Sequence, residues 1–166
     1  QQPPQQPADR WDFSSLSDLA TGIRVNDFMI DGPLNLRPLV GLVQVSTGVH
    51  VWRVRLDTPR THFVSHFIGV ATKYPTTDAR DSKDVWMLEV GFNRLFNGEG
   101  DAGNGRWNYR DRYIPYGNYG QAMPMMVDVK LDLDSRTLEY IIHDNPQGVA
   151  FTKLPKGESF QLLVTN

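Results

Sequence analysis

The chain has 166 residues, of which 40% are hydrophobic and 22% charged, and this composition is ordinary for one globular domain with a sizeable core. Its formal net charge of −2 gives no basic surface for nucleic acid or for anionic lipid. The sequence contains no cysteine, which excludes disulfides, a thiolate nucleophile and cysteine-ligated zinc.

The same features predict where the protein works. A chain without cysteine fits a reducing compartment, so we predict an intracellular protein, cytoplasmic or nuclear. No apolar run approaches the roughly 20 residues that a membrane-spanning helix needs, so we predict no membrane association. The chain begins at Gln1 without a methionine, as expected of a piece of a longer protein.

The first predicted element is a linker. Residues 1–10 open with QQPPQQPA, which offers nothing to bury, and we predict a disordered Gln/Pro-rich linker there. Residues 11–166 then form a single domain. At its start, apolar residues in 11–19 are spaced to lie along a core, which is compatible with a short helical turn, although serines in this stretch favour caps and turns.

From residue 49 onward the pattern predicts β-strands. The segment 49–57, VHVWRVRLD, alternates apolar with charged side chains, which is the period of a half-buried strand. The segment 66–72, HFIGVAT, is apolar on both faces and contains Gly69, as expected of a central strand approached closely by another backbone. Further strands are predicted at 85–91, 124–134, 137–142, 148–154 and 160–166. Short strands with turn residues between them predict an all-β antiparallel sandwich or barrel.

Three acidic residues, Asp128, Asp132 and Asp134, raise the question of a metal loop. An EF-hand loop beginning at Asp132 would need an oxygen ligand and a glycine where this chain has Arg136 and Thr137. Alternation instead places Asp128 and Asp132 on the solvent face of a strand, and the following DSR turns the chain. We therefore predict a β-hairpin and no metal site.

Other chemistry motifs are weak. GEGDAG, residues 98–103, matches the glycine pattern of dinucleotide sites, but no helix pattern follows it, so we predict a surface loop. His62 and His66 would lie about 13 Å apart on one strand, too far to share a metal ion. A glycosidase-type pair of carboxylates stays open, since Asp and Glu are plentiful and no pair is marked out.

The long segment 96–121 carries a different signal, because aromatic residues alternate there with arginine. Its members are Trp107, Tyr109, Tyr113, Tyr116 and Tyr119, with Arg106, Arg110 and Arg112. These residue types carry much of the binding energy at interfaces. Some rings are expected to cap the sandwich, and one or two to be exposed and bind a partner. RNA binding through RWNYRDRY is a further reading, but the net negative charge argues against nucleic acid.

Several segments together resemble the SPRY domain family, a bent antiparallel β-sandwich of concanavalin A-like architecture. STGVHVWRVRLD resembles the family's Gly-x-x-x-Trp-x-Val strand, and HFIGVAT its Ile/Val-Gly-Val-Ala strand. VDVKLDLDSRTLEYIIHDNPQGVAF is similar to its leucine-aspartate hairpin leading into Gly-Val-Ala-Phe, and LPKGESFQLLVTN to its Leu-x-x-Gly and following strand. The resemblance covers residues 22–166.

Two positions depart from the family pattern. The usual Trp-Glu-Val is Trp52-Arg53-Val54 here, so a basic side chain replaces an acidic one. The usual Asn-Gly turn before Gly-Val-Ala-Phe is replaced by the residues 143–146, His-Asp-Asn-Pro. The chain also ends at Asn166, where the family normally continues into another strand.

The resemblance implies a non-catalytic protein–protein interaction module, without a cofactor, that captures a peptide or a partner protein through its loops. The implied partner-binding residues are Arg37 and Pro38 before the first core strand, Tyr74, Asp78, Arg80 and Asp81 after GVAT, and Trp107, Tyr109 and Arg112 in the long loop. The alternative is a carbohydrate-binding or glycan-active sandwich of the lectin type, because exposed Trp and Tyr suit sugar stacking.

Overall fold

The computed structural model describes residues 9, 11–12, 24–26, 29–31, 38–57, 66–76, 78–98, 114–120 and 124–165. The strands are β1 (Trp11–Asp12), β2 (Arg24–Asn26), β3 (Met29–Asp31), β4 (Leu39–Gly41), β5 (Val49–Leu56), β6 (Phe67–Ala71), β7 (Val85–Glu89), β8 (Arg94–Phe96), β9 (Ile114–Pro115), β10 (Met125–Asp132), β11 (Thr137–Ile142), β12 (Asn145–Phe151) and β13 (Gln161–Thr165). Short 3₁₀ turns lie at Ala79–Asp81 and Val90–Phe92. Within these ranges no helix has the length and apolar composition to cross a bilayer.

The strands form two main antiparallel sheets, which confirms the predicted fold class. The large sheet has seven strands in the order β1-β4-β13-β6-β7-β8-β9, and the small sheet has four in the order β12-β11-β10-β5. β2 and β3 pair as a separate hairpin. The strand predicted to be central, β6, is the middle strand of the large sheet.

The main core lies between the two sheets and follows from period-two alternation. In β10, Val127, Val129 and Leu131 are fully buried, and the neighbouring strand β11 adds the equally buried Leu138 and Tyr140 to the same face of the sheet. On β5 the even-numbered residues point inward, as predicted. Burying one such side chain contributes about 1.5–3 kcal/mol, so these three strands hold the small sheet against the large one.

A second apolar layer covers the opposite face of the large sheet. Its members are Val40, Phe67, Ala71, Ala79, Val85, Met87, Phe96 and Leu163. Ala79 belongs to the first 3₁₀ turn, so the segment between β6 and β7 lies across this outer face. Both faces of β6 are therefore buried, which explains its continuous apolar sequence.

The acidic stretch is a hairpin, as predicted. Asp132 Oδ1 accepts hydrogen bonds from Asp134 N at 3.0 Å and Ser135 N at 2.9 Å, and β11 then pairs antiparallel with β10. These hydrogen bonds, led by the one from Ser135, lower the pKa of Asp132. Asp128 lies on the predicted outer face, but it is only 8% exposed because Arg53 covers it.

The next turn is shorter than the sequence suggested. Ile142 pairs with Asn145, so only His143 and Asp144 form the turn, and Asn145 and Pro146 belong to β12. His143 has φ 49° and Asp144 φ 63°, so both central residues lie in the left-handed region that a two-residue hairpin of this type requires. The turn therefore keeps the geometry of an Asn-Gly hairpin with two other residues.

Some predictions fall on the N-terminal part of the chain. Trp11 and Asp12, at the start of the stretch expected to hold a helical turn, form β1 and pair with β4, and residues 13–23 lie outside the described residues. Within the predicted linker, Asp9 is described, and its Oδ1 accepts a hydrogen bond from Val43 N at 3.0 Å. The rest of the linker, like His62 and residues 99–103 of the glycine motif, lies outside the described part.

Candidate functional site

Five of the nine residues predicted to bind a partner are described by the structure. They are Pro38, Tyr74, Asp78, Arg80 and Asp81. The other four, Arg37, Trp107, Tyr109 and Arg112, lie outside the described residues. These five residues form two hydrogen-bonded pairs, Tyr74 with Pro38 and Arg80 with Asp78, and the fifth, Asp81, is exposed.

Tyr74 and Pro38 are in direct contact. The Tyr74 hydroxyl donates a hydrogen bond to the carbonyl oxygen of Pro38 at 2.9 Å. Pro38 is buried just before β4, whereas Tyr74 is 42% exposed. The two loops that the family resemblance singled out, 36 residues apart in sequence, are therefore joined. The hydrogen bond fixes one end of the tyrosine ring and leaves part of the ring facing solvent.

Asp78 and Arg80 hold the neighbouring turn in shape. Asp78 Oδ1 accepts from the backbone N of Arg80 at 2.9 Å, which caps the first 3₁₀ turn. The guanidinium also binds this carboxylate, with Nη2 to Oδ2 at 2.6 Å and Nε to Oδ1 at 3.0 Å. The hydrogen bonds that Arg80 donates to the Asp78 carboxylate raise the pKa of Arg80, with smaller charge effects from Asp78 and Glu89. A partner would thus meet an ion pair here, with the exposed Asp81 beside it.

The start of the long aromatic segment is tied to this same turn. Gly98 N donates to Ser82 O at 2.9 Å, and Asn97 Nδ2 donates to Val85 O at 2.7 Å. A Cβ added at Gly98 would lie 2.1 Å from the carbonyl oxygen of Asp81, so glycine is required for this close approach. Sequence reasoning missed Asn97 and Gly98 as contacts, although an Asn-Gly pair just after a strand is a turn signal. The segment between β6 and β7 therefore lies beside the start of the long segment 96–121.

The aromatic residues at the other end of that segment are structural. The Tyr116 hydroxyl donates to Gly148 O at 2.5 Å, and the Tyr119 hydroxyl donates to Val90 O at 2.8 Å. Tyr116 packs edge-on against the buried Tyr140 ring. Burial raises the pKa of Tyr116 to about 12 and also raises that of Tyr119. These two rings pack on the sandwich, as expected for part of the set.

The two departures from the family pattern are coupled on the small sheet. Arg53 binds Asp128 through Nε–Oδ1 at 2.8 Å and Nη2–Oδ2 at 3.0 Å, and its Nη2 also contacts Asp144 Oδ1 at 2.9 Å. Hydrogen bonding to Asp128 raises the pKa of Arg53. The basic residue that replaces the usual acidic one therefore pairs with an acidic residue of the altered turn. This network lies on the small sheet, whereas Tyr74 follows β6 of the large sheet.

A buried ion pair lies on the outer face of the large sheet. Glu89 on β7 is buried and accepts from Arg94 Nε at 2.6 Å, and the Arg94 guanidinium lies 4.6 Å from the centre of the Phe92 ring. Because the carboxylate is paired, its burial is compensated. Among the described residues, no group of three or more His, Asp or Glu side chains is placed to hold a metal ion.

Known structures resemble this sandwich closely in fold and distantly in sequence. The SPRY domain of human HERC1 is 15% identical, with a TM-score of 0.58 over 77% of this chain and 73% of that one. The PSpry domain of TRIM65 is 15% identical, with a TM-score of 0.62 over 96% of this chain and 86% of that one. No protein-family model matches the sequence, and no curated protein matches it. The chain has the SPRY β-sandwich fold that its motifs predicted.

Proposed function

We propose that this chain is a non-catalytic interaction module that binds a peptide or a partner protein. Its binding region is the Tyr74 surface, defined as Pro38, Tyr74 and the turn Asp78–Asp81. The observation that supports it is the hydrogen bond between the Tyr74 hydroxyl and Pro38, which holds a 42% exposed aromatic ring in place. Arg37 precedes Pro38, and we propose that it belongs to the same surface.

The physical reason is the low entropic cost of binding to a surface that is already ordered. Tyr74 is held at its hydroxyl, and the Asp78–Arg80 pair holds the adjacent turn, so little ordering remains to be done when a partner arrives. A tyrosine offers a large apolar area with few rotatable bonds, which makes it effective at interfaces. Loops on a sheet scaffold are the usual carriers of such sites.

The long aromatic segment is proposed to extend this surface. Its base is fixed beside the turn through Gly98 and Asn97. Trp107, Tyr109 and Arg112 follow within the same segment, so we propose that they contact the partner next to Tyr74. From the absence of cysteine we further propose an intracellular partner, in the cytoplasm or nucleus.

The test compares capture of partners by the whole chain and by three variants. The immobilised wild-type protein, Tyr74→Ala, Tyr74→Phe and Phe92→Ala are each exposed to an extract of source cells, and captured proteins are quantified by mass spectrometry. Phe92→Ala is the matched control, because it removes a 59% exposed ring from the 3₁₀ turn Val90–Phe92, which is not part of the Tyr74 surface. We expect Tyr74→Ala to lower capture of a defined set about 30-fold, the effect of losing an interface anchor of about 2 kcal/mol. Phe92→Ala should retain the set.

Tyr74→Phe separates binding from stability. Phenylalanine keeps the ring and removes the hydrogen bond to Pro38, so this variant and Tyr74→Ala should each lose about 0.5–1.5 kcal/mol of unfolding free energy from that bond. Tyr74→Ala should lose capture strongly, whereas Tyr74→Phe keeps the ring but no longer fixes it and should lose only about a fewfold. Titration of one purified captured protein should reproduce the difference. Equal capture by wild type and Tyr74→Ala would refute the proposal.

The carbohydrate-binding alternative has its own outcome in this experiment. A glycan array probed with the wild-type chain would show saturable, sugar-specific binding if the exposed tyrosine stacks on a sugar ring. Under our proposal the array gives no such signal, and the captured species are proteins that bind directly in purified form. Sugar-specific binding lost in Tyr74→Ala would assign the same surface to the lectin alternative.

A further inference from the structure

β5 lies at one edge of the small sheet. Within the described residues β5 pairs with a single neighbour, β10, and so ends the small sheet. Leu133 N donates to Gly48 O at 2.9 Å, which makes residues 133 and 48 a hydrogen-bonded pair. Because such pairs recur at every second residue, the even-numbered residues of β5 bond to β10. The N–H and C=O groups of the odd-numbered residues point to the outer edge.

The side chains on the solvent face of this edge change from apolar to basic along the strand. Val49 is 47% exposed and Val51 43% exposed, and both lie on the solvent face of the sheet. Arg53 and Arg55 follow on the same face. Long edge strands with exposed β-branched residues are templates for pairing with another strand. This edge is apolar in its first half and basic in its second half.

We propose that β5 pairs antiparallel with β5 of a second copy of this chain, around a twofold axis at Trp52. Residues 49–55 of the two copies would then face each other, and two four-stranded sheets would become one continuous sheet. The axis sets Val51 opposite Arg53 of the second copy and Val49 opposite Arg55 of the second copy. It also sets the two Trp52 side chains opposite each other, an aromatic cross-strand pair of the kind that stabilises sheets.

Charge favours this register. Each arginine lies opposite a valine. Arg55 can lay its aliphatic stem on Val49 of the second copy while its guanidinium stays in solvent, and Arg53 keeps its bonds to Asp128 and Asp144 of its own chain. Asp132 is paired with Val49, so in the dimer it lies two strands, about 10 Å, from Arg55 of the second copy, within reach of that long side chain. Arg55 is free to turn toward it, since its contact with the exposed Asp57 is a weak surface pair.

Other registers are less favourable. An axis at Arg53 places the two Arg53 guanidinium groups opposite each other, and like charges directly opposite destabilise a sheet. An axis at Val51 pairs only residues 49–53 and leaves Arg55 beyond the paired strand. The axis at Trp52 therefore combines the longest pairing with the absence of opposed like charges.

The test is sedimentation velocity of the whole chain across about a hundredfold range of concentration, because dimerisation follows mass action. Wild-type protein should shift from monomer to dimer. Val49→Lys places a lysine opposite Arg55 of the second copy and beside Asp132 at two symmetric positions, and it should weaken the dimer about tenfold or more. Val49→Glu makes an equally polar change of opposite charge, which attracts Arg55, and it should retain the dimer. Val149→Lys, at a 54% exposed valine on the other edge strand, should behave as wild type.

Hydrogen exchange supplies a readout that does not depend on the variants. The amides of Val49, Val51, Arg53 and Arg55 should exchange more slowly at high protein concentration than at low concentration, and circular dichroism should show each variant folded. A wild-type chain that stays monomeric throughout the range would overturn the proposal. So would a dimer that Val49→Lys leaves intact, or one that Val49→Lys, Val49→Glu and Val149→Lys weaken equally.

Discussion

Three tyrosines of this chain show how one residue type serves two purposes. Tyr74, Tyr116 and Tyr119 each donate the hydroxyl hydrogen bond to a backbone carbonyl oxygen. Tyr116 and Tyr119 then bury most of the ring against the sandwich, whereas Tyr74 keeps 42% of its surface exposed. Because the hydroxyl of each is already paired, what distinguishes Tyr74 is its ring. A partner would therefore recognise apolar area at Tyr74 rather than a free hydroxyl.

We expect His66 to make the stability of the protein depend on pH. It lies just before β6, and its Nε2 atom is buried without a hydrogen-bond partner among the described residues. Burial lowers the pKa of His66 below its ordinary value of 6.5, and contacts with Asp57 only partly offset this. The unfolded chain thus binds a proton more readily than the folded chain as the pH falls below about 6.5.

The sign of the effect follows from this difference. Above the ordinary pKa the imidazole is neutral in both states and contributes nothing to the pH dependence. As the pH falls from about 6.5 to the lower folded pKa, protonation of the unfolded state reduces the unfolding free energy. Melting temperatures measured from pH 7 down to about pH 5 should therefore fall less steeply in His66→Gln than in wild type. Parallel curves would show that His66 is not the group responsible.

At the scale of single strands, β6 depends on one glycine. A Cβ added at Gly69 would lie 1.8 Å from the carbonyl oxygen of Trp86 on the paired strand β7, and a backbone atom in a central strand cannot move aside. We expect Gly69→Ala to cost more than about 3 kcal/mol of unfolding free energy, at or above the upper range for overpacked cores. Chemical denaturation measures this directly. Gly120→Ala, where an added Cβ meets nothing within 4 Å, is the matched control and should be near neutral.

The strands were predictable from sequence because their signals are local. Alternation along β5 identified its buried face, and the apolar run around Gly69 identified the central strand. The hairpin at Asp132 followed from the same alternation combined with the failure of a calcium-loop pattern. Each of these inferences uses only residues that are neighbours in sequence. The two-residue period of a strand is enough to assign such residues to one face or the other.

The contacts that build the candidate site could not be predicted in the same way. The bond from Tyr74 to Pro38 joins residues 36 apart, and the near-complete burial of Asp128 depends on Arg53, 75 residues away. Family resemblance placed Pro38 and Tyr74 in one surface, but it gave no reason for their direct contact. The pairing of Arg53 with Asp144 was equally hidden, because each residue alone departs from the family pattern.

The Arg53 network links three elements of the small sheet. Arg53 on β5 binds Asp128 on β10 and Asp144 in the turn between β11 and β12. That turn holds two residues other than glycine at positive φ. Such a conformation costs backbone energy and persists only where the surrounding structure holds it. Asp144 is largely exposed, so its ion pair adds little by itself. The buried Asp128 contact is therefore what holds Arg53 in place, and Arg53 in turn orients the turn.

At the scale of the whole molecule, the two proposed surfaces lie on different sheets. The Tyr74 surface includes the turn whose Ala79 packs on the outer face of the large sheet, and the pairing edge is β5 of the small sheet. They share no residue and belong to different sheets, so single changes at one surface should not alter the other directly. A dimer through β5 would, however, carry two Tyr74 surfaces in a fixed relation.

If the Tyr74 surfaces of two chains are linked in a dimer, the apparent affinity for a dense coating of the partner should exceed the affinity measured in solution. A dimer can engage two immobilised partner molecules at once, and such bivalent contact raises apparent affinity by about a hundredfold or more when the geometry permits it. Val49→Lys should therefore weaken retention on a surface densely coated with the captured partner, while calorimetric titration of one site in solution stays unchanged. Tyr74→Ala should weaken both. If Val49→Lys lowers the single-site affinity as well, β5 itself contacts the partner and the two surfaces are not independent.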